Sequence, residues 1–366
     1  MARVAIAHDW LTGMRGGEKC LEVFCRLFPH ADIYTLLHIP GSVSPEIEQH
    51  RIYTSFIQKL PAAHKIYRHY LPLFPHAIES FKLTDYDLVI SSSHCVAKGI
   101  RPPAGAYHIC YCYTPIRYVW DMRESYFPRS MPFLKRAFIT ALLNAVQRWD
   151  IATLPRVNQF VAISHHVAER IKRHYRLNSE VIYPPVNTDA FALSEYHEDF
   201  YLIVSAFAPY KKIGLAIDAF NRLGYRLAII GSGQEERSLR RQAASNITFL
   251  GWQPDHVVRD YYARCRALIF PGEEDFGITP LEAMASGKPV IAFNRGGVTE
   301  TVIGYRPQHK TYTGLFFNEH TLDSLCTAVE HERRLAFSAP DIRAHALKFD
   351  TAHFENALRT LFARWL

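Results

Sequence analysis

The chain has 366 residues, of which 48% are hydrophobic and 21% are charged, so it can form two domains that each bury a core. This composition excludes an intrinsically disordered chain. The formal net charge of +7 is compatible with nucleic acid, an anionic membrane surface, an anionic small substrate or a solvated basic surface without a specific partner. No homeodomain, zinc-finger or RNA-recognition pattern occurs, so we expect no nucleic-acid partner.

The cysteines and the amino terminus indicate the compartment. Seven scattered cysteines, with no C-x-x-C pair, argue against a disulfide framework and a zinc site and favour a reducing cytoplasm. The first apolar run is too short for a signal peptide, and no segment reaches the ~18 apolar residues that span a bilayer. We therefore expect a cytoplasmic protein that is at most peripheral on the inner face of a membrane.

Short apolar runs that end in glycine or small polar residues alternate with helical patterns along the chain. Near-continuous apolar strands separated by helices predict parallel sheets that are covered on both faces. Such sheets bind ligands at the carboxyl ends of their strands. The predicted strands are Val4–Ala7, Asp87–Ile90, Tyr107–Cys112, Gln159–Ile163, Tyr201–Val204, Arg226–Ile230, Ile247–Leu250, Ala267–Phe270 and Val290–Phe293.

The strand series restarts after Tyr183–Phe191, a segment with paired prolines and no helical periodicity, as is typical of a linker. We place an N-terminal domain at residues 1–185 and a C-terminal domain at residues 186–350. Segment 351–366 is predicted to be a helix that packs back on the N-terminal domain. Its apolar face consists of Phe354, Leu358, Leu361 and Phe362.

The strongest chemical signal is the segment Glu273–Phe293, EEDFGITPLEAMASGKPVIAF, in which Glu274 and Glu282 stand eight positions apart. Thr279 is the predicted helix N-cap, with Glu282 as its partner in a capping box. This helix follows the strand Ala267–Phe270, so its free amides and positive dipole end predict a site for a diphosphate. Spacing alone leaves open that Glu282 only caps the helix and that Glu274 is only a solvated loop acid.

The same segment resembles the E-x7-E motif of family 4 glycosyltransferases, which have the GT-B fold. That fold is α/β, with two Rossmann-like parallel-sheet domains facing across a deep cleft. The further segments that resemble blocks of this family in the same order are Leu11–Lys19, Tyr183–Phe191, Val204–Lys212, Ile229–Arg240, Ile247–Trp252 and Asn294–Val302.

The resemblance implies retaining transfer of a hexose from a nucleotide-diphosphate sugar, without a metal or another cofactor. The segment His108–Asp121 resembles a bacterial polysaccharide mannosyltransferase branch. That branch favours GDP-mannose as donor and a glycan or lipid-linked acceptor in surface polysaccharide or lipopolysaccharide assembly. The D-x-D at Asp85–Asp87 precedes an apolar strand and indicates a turn rather than a metal site.

The resemblance also assigns roles to single residues. It implies that Lys211 neutralises the departing diphosphate with help from Lys212, that Glu274 contacts the transferred sugar, and that Glu282 accepts hydrogen bonds from the ribose. The other residues expected to bind the donor are Gly16, Gly17, Gly231, Gly233, Phe276, Gly277, Ile278 and Thr279.

Two positions depart from the family pattern. Ser205 and Ala206 stand where relatives often carry an arginine that binds phosphate. We expect either a compensating cation from Arg15, Lys212 or Arg295 or a lower affinity for the donor. Tyr113 takes the catalytic position at which many relatives carry a histidine, although a phenol is a poor base at neutral pH. The acceptor-side candidates are His8, the neighbouring Asp9, His94 and Arg117. Packing or capping roles stay open for these residues.

Two segments, Phe56–Lys82 and Arg123–Arg148, interleave aromatic, basic and proline residues. They fit either an anionic membrane surface, with a lipid-linked acceptor, or helices packed on the N-terminal sheet. Two alternative functions also stay open. One is a GT-B nucleotide-sugar epimerase. The other is a catalytically weak partner subunit that binds nucleotide sugar, which the missing arginine and Tyr113 motivate.

Overall fold

The computed structural model describes residues 2–127 and 131–365. The chain divides into two units, Met1–Pro184 with Phe354–Leu366, and Pro185–His353. The boundary expected from the sequence, between residues 185 and 186, lies one residue from this division. Residues 128–130 of the second basic and aromatic segment lie outside the described residues.

The first unit contains a seven-stranded parallel sheet in the order β3-β2-β1-β4-β5-β6-β7. The strands are β1 (Val4–His8), β2 (Asp32–Thr35), β3 (Ile52–Thr54), β4 (Leu88–Ser93), β5 (Tyr107–Cys112), β6 (Gln159–Ala162) and β7 (Glu180–Val181). Every residue of β1 and β4 is buried, because helices cover both faces of the sheet. The helices are α1 (Gly16–Leu27), α2 (Pro45–Glu48), α3 (Ala63–Ile66), α4 (Phe74–Glu79), α5 (Arg117–Trp120), α6 (Arg123–Tyr126), α7 (Phe133–Ala152) and α8 (His165–Tyr175).

The second unit contains a six-stranded parallel sheet in the order β10-β9-β8-β11-β12-β13. The strands are β8 (Phe200–Val204), β9 (Arg226–Ile230), β10 (Ile247–Gly251), β11 (Ala267–Phe270), β12 (Val290–Phe293) and β13 (Gly314–Phe317). The helices are α9 (Ile213–Leu223), α10 (Glu236–Gln242), α11 (Asp255–Arg264), α12 (Ile278–Ala285), α13 (Val298–Thr301), α14 (Leu322–Glu332) and α15 (Ala339–Ala346). One core cluster joins Tyr201 and Ile269 of the strands to Phe220 and Val329 of the helices.

Each sheet has one place where the chain changes the side on which it adds strands. In the first sheet, β1 to β3 extend to one side and β4 to β7 to the other, so this switch point lies between β1 and β4. In the second sheet it lies between β8 and β11. Open parallel sheets bind ligands at the carboxyl ends of the strands that flank a switch point. The loops after β1, β4, β8 and β11 are therefore the places to look for functional side chains.

The helix α16 (Thr351–Phe362) returns the chain to the first unit, where Phe354, Leu358, Leu361 and Phe362 are buried. The ring of Phe354 lies 6.1 Å from that of Phe24 and 5.6 Å from that of Tyr111. Just before α16, Val186 and Asp350 form a parallel bridge. The first unit is thus assembled from two stretches of chain that are separated by the whole second unit.

All nine strands predicted from the sequence are present, whereas β2, β3, β7 and β13 were not predicted. Asp85 has φ 61° and the Asp87 carboxylate accepts the backbone N–H of Arg3 at 2.7 Å, so the D-x-D forms the turn before β4. In the part of the chain that the structure describes, no helix combines the length and the hydropathy needed to cross a membrane.

Candidate functional site

Lys211 and Glu274 meet at the switch point of the second sheet. Lys211 ends a 3₁₀ helix (Pro209–Lys211) that follows β8, and Glu274 lies in the loop after β11. The Lys211 ammonium forms an ion pair with the Glu274 carboxylate, and the two side chains are 14% and 17% exposed. Because water is largely excluded from both charges, each depends on the other for compensation.

The loop that carries Glu274 is fixed by close backbone contacts that only glycine permits. A Cβ at Gly272 would lie 2.8 Å from the Tyr210 carbonyl oxygen, and a Cβ at Gly296 would overlap the Glu274 carbonyl oxygen. The N–H of Gly297 donates to that same oxygen at 2.8 Å. These glycines are not among the site residues predicted from the sequence, although Gly296 and Gly297 stand in the family-like segment Asn294–Val302.

The helix after Glu274 begins differently from the prediction. Gly277, with φ 93°, is the N-cap of α12 and no cap side chain hydrogen-bonds to the helix. Thr279 lies inside the first turn, so the predicted capping box is wrong. The left-handed backbone of Gly277 turns the chain directly into the helix, and a side-chain cap is not needed for that turn. The Glu282 carboxylate instead accepts a hydrogen bond from the Tyr262 hydroxyl at 2.9 Å.

The residues around this helix differ in exposure. The side chain of Phe276 is buried, and its ring lies 6.3 Å from that of Phe349. Ile278 and Thr279 are half-buried in the first turn of α12. Burial raises the pKa of Tyr262 well above its ordinary value, and Glu282 raises it further, so this tyrosine stays a hydrogen-bond donor that orients Glu282.

Gly231 and Gly233 follow β9 and pass close to the chain after β8. A Cβ on Gly231 would overlap the Ser205 carbonyl oxygen, and a Cβ on Gly233 would lie 2.6 Å from the Phe207 carbonyl oxygen. Gly231 also has φ 137°, a backbone conformation that L side chains rarely adopt. Packing within the domain therefore explains this G-x-G by itself, and a role beside a nucleotide base stays a prediction.

Positive charge gathers at the same strand ends. Lys212 has φ 55° at the start of α9, and Arg295 is exposed after β12. His320, which was not predicted from the sequence, follows β13, and its ring centroid lies 3.5 Å from that of Phe293 in a stacked arrangement. Burial lowers the pKa of His320, and the charges of Lys212 and Arg295 lower it further. Lys212 and Arg295, two of the three cations expected to replace the missing arginine, thus both influence the surroundings of His320.

Asp9 and His94 flank the switch point of the first sheet. The buried Asp9 carboxylate accepts the backbone N–H groups of His94, Cys95, Val96 and Ala97 at 2.6–2.9 Å, so it caps the turn after β4. Nδ1 of His94 lies 3.1 Å from the same carboxylate, and the His94 side chain is 33% exposed. Burial lowers the pKa of His94 while Asp9 raises it, and the positive charge of Arg117 also lowers it.

Tyr113 is held on the side of the first sheet that carries α1. Its hydroxyl donates to the Gly17 carbonyl oxygen at 2.9 Å and lies 2.8 Å from Ser92 Oγ, which is 2.9 Å from His8 Nδ1. Burial raises the pKa of Tyr113 well above its ordinary value. The phenol therefore stays protonated, and the geometry favours a positioning role at the start of α1 over a role as a base.

The start of α1 carries a second buried acid, Glu18, that was not predicted from the sequence. The backbone N–H of Arg15 donates to the Glu18 carboxylate at 3.1 Å. Burial alone would raise the pKa of Glu18. His8, whose Nε2 lies 3.7 Å from Glu18 Oε1, lowers that pKa below its ordinary value. Gly16 and Gly17 form the first turn of this helix. Within residues 2–127 and 131–365, no three His, Cys, Asp or Glu side chains are grouped so that they could hold a metal ion.

Two family profiles match consecutive parts of the chain. The profile described as Glycosyltransferase Family 4 matches residues 14–190, and the profile described as Glycosyl transferases group 1 matches residues 187–331. The chain belongs to glycosyltransferase family 4. This confirms the family that the glycine loop and the segment around Glu274 and Glu282 indicate.

Similar proteins from other organisms are named as glycosyltransferases. An uncharacterised glycosyltransferase of Methanocaldococcus jannaschii is 30% identical over 154 residues, which are 40% of this chain and 44% of that protein. The O-antigen chain mannosyltransferase RfbU of Salmonella typhimurium is 25% identical over 264 residues, 68% of each chain. The O-antigen chain mannosyltransferase C of Escherichia coli is 33% identical over 112 residues, 29% of this chain and 30% of that protein. The matched region spans less than half of the first and third of these relatives.

Solved structures share the fold along nearly the whole chain. The sucrose-phosphate synthase of Thermosynechococcus elongatus has a TM-score of 0.74 at 17% identity and covers 100% of this chain and 99% of its own. HepE of Anabaena, in complex with UDP and glucose, has a TM-score of 0.72 at 16% identity and covers 99% of this chain and 100% of its own. At such identities the likeness shows the fold alone. The two Rossmann-like parallel-sheet domains are those of the GT-B fold, which the sequence predicted.

Proposed function

We propose that this family 4 glycosyltransferase is a retaining hexosyltransferase that takes its sugar from a nucleotide-diphosphate donor. GDP-mannose is the favoured donor and a glycan or lipid-linked molecule the acceptor, in the assembly of a bacterial surface polysaccharide. The two O-antigen mannosyltransferases among the relatives support the sugar and the setting. We place the reaction in the cytoplasm, and the seven free, buried cysteines fit a reducing compartment.

The observation that carries the proposal is the Lys211–Glu274 ion pair at the switch point of the second sheet. A nucleotide sugar needs a cation for its diphosphate and an acceptor for its sugar hydroxyls, and this pair supplies both at neighbouring strand ends. When the donor binds, Lys211 exchanges the carboxylate for a phosphate oxygen, and Glu274 turns to the sugar hydroxyls. After the exchange Lys211 is paired with a phosphate, and the Glu274 carboxylate accepts hydrogen bonds from the sugar hydroxyls.

In the proposed transfer, the bond between the anomeric carbon and the diphosphate oxygen breaks while the acceptor oxygen attacks from the same face. The acceptor proton passes to the leaving phosphate, so no protein base is required. Lys211 and the amides in the first turn of α12 stabilise the departing charge. We propose that no metal or other cofactor takes part, because these groups supply the positive charge that metal-using transferases obtain from an ion.

Further residues have supporting roles in the proposal. Lys212 and Arg295 replace the arginine missing at positions 205 and 206. Glu282, oriented by Tyr262, binds the ribose hydroxyls. The backbone of Phe276–Thr279 lines the sugar phosphate, and Gly231 and Gly233 border the base.

In the first unit, we propose that Tyr113 fixes Gly17 so that the amides of Gly16 and Gly17 are ordered for the donor phosphates. The exposed edge of His94 and the guanidinium of Arg117 belong to the acceptor side. Asp9 positions His94 and does not touch the substrate, because its carboxylate is buried under four backbone amides.

A thermal-shift screen with GDP, UDP, ADP and their sugar conjugates tests the donor site. A ligand that binds only the folded protein raises the melting temperature according to RT ln(1 + [L]/Kd). We expect the largest shift with GDP and GDP-mannose, lost in Lys211→Ala and kept in the matched exposed-lysine variant Lys310→Ala. No shift with any nucleotide would refute the proposed site.

Product analysis then separates the enzymatic alternatives. A glycoside product with the anomeric configuration of the donor supports retaining transfer. An epimerised donor in the absence of acceptor would identify an epimerase instead. Nucleotide binding without any turnover, with acceptor supplied, would favour the partner subunit over the enzyme.

A further inference from the structure

The amino-terminal part of α7 presents bulky apolar side chains to solvent. Phe133, Leu134 and Phe138 are 81%, 80% and 65% exposed. Further along the helix, Leu143 and Val146 are buried in a small core of the first unit. The exposed end of α7 is therefore attached to the domain through its carboxyl-terminal half.

The outward face of this helix has the opposite polarity from that of an ordinary surface helix. With about 100° of turn per residue, the side opposite Leu143 and Val146 contains Leu134 and Phe138 together with alanines. The exposed alanines on that side are Ala137, Ala141 and Ala145. A surface helix of a globular protein normally turns its polar residues to solvent. The charged side chain on this face is the exposed Arg148, towards the carboxyl end of the helix.

The charges that surround the apolar face are of one sign. Residues 125–149 contain no Asp or Glu, and neither do residues 56–78. In α7, the exposed Lys135 and Arg136 flank the apolar face. This distribution repels a second copy of the same surface and attracts an anionic one.

The segment 63–73 continues this surface. Its Leu71 packs against the same small core as Ile139 of α7. It exposes Ile66 and Leu73, at 40% and 41%, and also the side chains of Lys65 and Arg68. The apolar and basic character therefore extends over two adjacent elements.

We propose that these exposed residues of α7 and of segment 63–73, here called the α7 surface, rest on a bilayer that contains anionic lipid. The Phe and Leu side chains enter the headgroup region, and the Lys and Arg side chains contact lipid phosphates. The inference deepens the proposed function, since its purpose rests on a lipid-linked acceptor. The attachment itself is measured without donor or acceptor.

Sedimentation of the full chain with vesicles tests the proposal. We use phosphatidylcholine alone and an equal mixture of phosphatidylcholine and phosphatidylglycerol. We expect binding to the mixed vesicles that weakens as salt is added, and little binding to phosphatidylcholine alone. Equal binding to both compositions, or to neither, would overturn the proposal.

Matched variants locate the contact. Combining Phe133→Ser, Leu134→Ser and Phe138→Ser is expected to lower the vesicle partition coefficient at least about tenfold. The control triple replaces Trp252, Tyr196 and Leu193, apolar side chains of the second unit that are 74%, 67% and 43% exposed, and is expected to bind like the unaltered chain. The contribution of the charges is measured in the same way. The vesicle binding of the double variant Lys135→Gln with Arg136→Gln is compared with that of Arg306→Gln with Lys310→Gln, which changes two exposed positions of the second unit.

Two further measurements distinguish membrane binding from a dimer interface and from loss of the donor site. If the α7 triple variant turns a dimer into a monomer in light scattering and vesicles do not bind, the surface belongs to a second copy and the proposal is wrong. A nucleotide-induced thermal shift that survives in the α7 triple variant shows that its second unit is folded. Loss of vesicle binding is then separate from any failure of the donor site.

Discussion

Removal of the Glu274 carboxylate is expected to tighten the binding of a free nucleoside diphosphate. Without a ligand, Lys211 is paired with Glu274, so a diphosphate has to displace that carboxylate before it gains the lysine. An exposed ion pair contributes up to about 1 kcal/mol, and leaving one partner of a buried pair uncompensated costs more. At 14% and 17% exposure we expect about 1–2 kcal/mol. This corresponds to roughly 5- to 30-fold tighter binding in Glu274→Ala.

Transfer should change in the opposite direction. Glu274 is proposed to accept hydrogen bonds from the sugar hydroxyls, and a hydrogen bond to a charged group contributes about 1.5–3 kcal/mol. We therefore expect turnover of Glu274→Ala to fall roughly 10- to 150-fold. Tighter nucleotide binding together with slower turnover in Glu274→Ala would show that this carboxylate pairs with Lys211 in the free protein and with the sugar during transfer.

Isothermal titration calorimetry with the nucleoside diphosphate identified by the thermal-shift screen measures the first effect. Glu319→Ala is the control, because it removes the same charge from an exposed position of the second unit. Weaker or unchanged binding in Glu274→Ala would refute the exchange of partners. An equal gain in Glu319→Ala would show that net charge, and not release of Lys211, is the cause.

Three further predictions follow from the backbone and the buried polar groups. Gly231→Ala, at φ 137° against the Ser205 carbonyl, should lower the free energy of unfolding by roughly 2–3 kcal/mol, and Gly224→Ala, at φ 73° in open space, by about 1 kcal/mol. Equal urea midpoints would contradict this. Tyr113→Phe should cost about 1–2 kcal/mol of stability, because the hydrogen bond from the Tyr113 hydroxyl to the Gly17 carbonyl is lost. The variant should leave the pH profile of turnover unchanged. Loss of one limb of that profile would mean that Tyr113 titrates in the reaction. Burial lowers the pKa of His108 from 6.5 to about 4, so the stability due to its neutral form is present above pH 6.5 and is lost as pH falls to about 4. The loss is at most about 3 kcal/mol, and urea unfolding of His108→Gln should show a flatter acid limb.

Each strand predicted from the sequence contains a run of apolar residues, and in β11 that run is the whole strand. β5 and β11 begin and end where the apolar runs do, because both are buried between layers of helices. β3 and β7 form the two edges of the first sheet and β13 forms one edge of the second. At the edges of the first sheet the apolar pattern is weak: Tyr53 and Thr54 are exposed, and β7 has only two half-buried residues. β13 is short but apolar, and its sequence does not explain why it was missed. Edge strands are paired by their neighbours more than by their own hydrophobicity.

The candidate site could be predicted in its residue types but not in its internal contacts. Motif resemblance indicated Lys211 and Glu274 separately, and only the sheet topology brings them into an ion pair. The sequence predicts a capping box for Glu282 because spacing along the chain indicates contacts only between residues that are close in sequence. Its partner among the described contacts, Tyr262, comes from α11, and no local pattern encodes that contact.

The return of α16 to the first unit has a consequence for folding during synthesis. Residues 185–353 leave the ribosome as one uninterrupted stretch, so the second unit can fold as soon as it emerges. The first unit cannot, because Phe354 and its neighbours, which cover Phe24 and Tyr111, are made only afterwards. The domain that is translated first is thus the one that is completed last, and its apolar surface over α1 stays open until then.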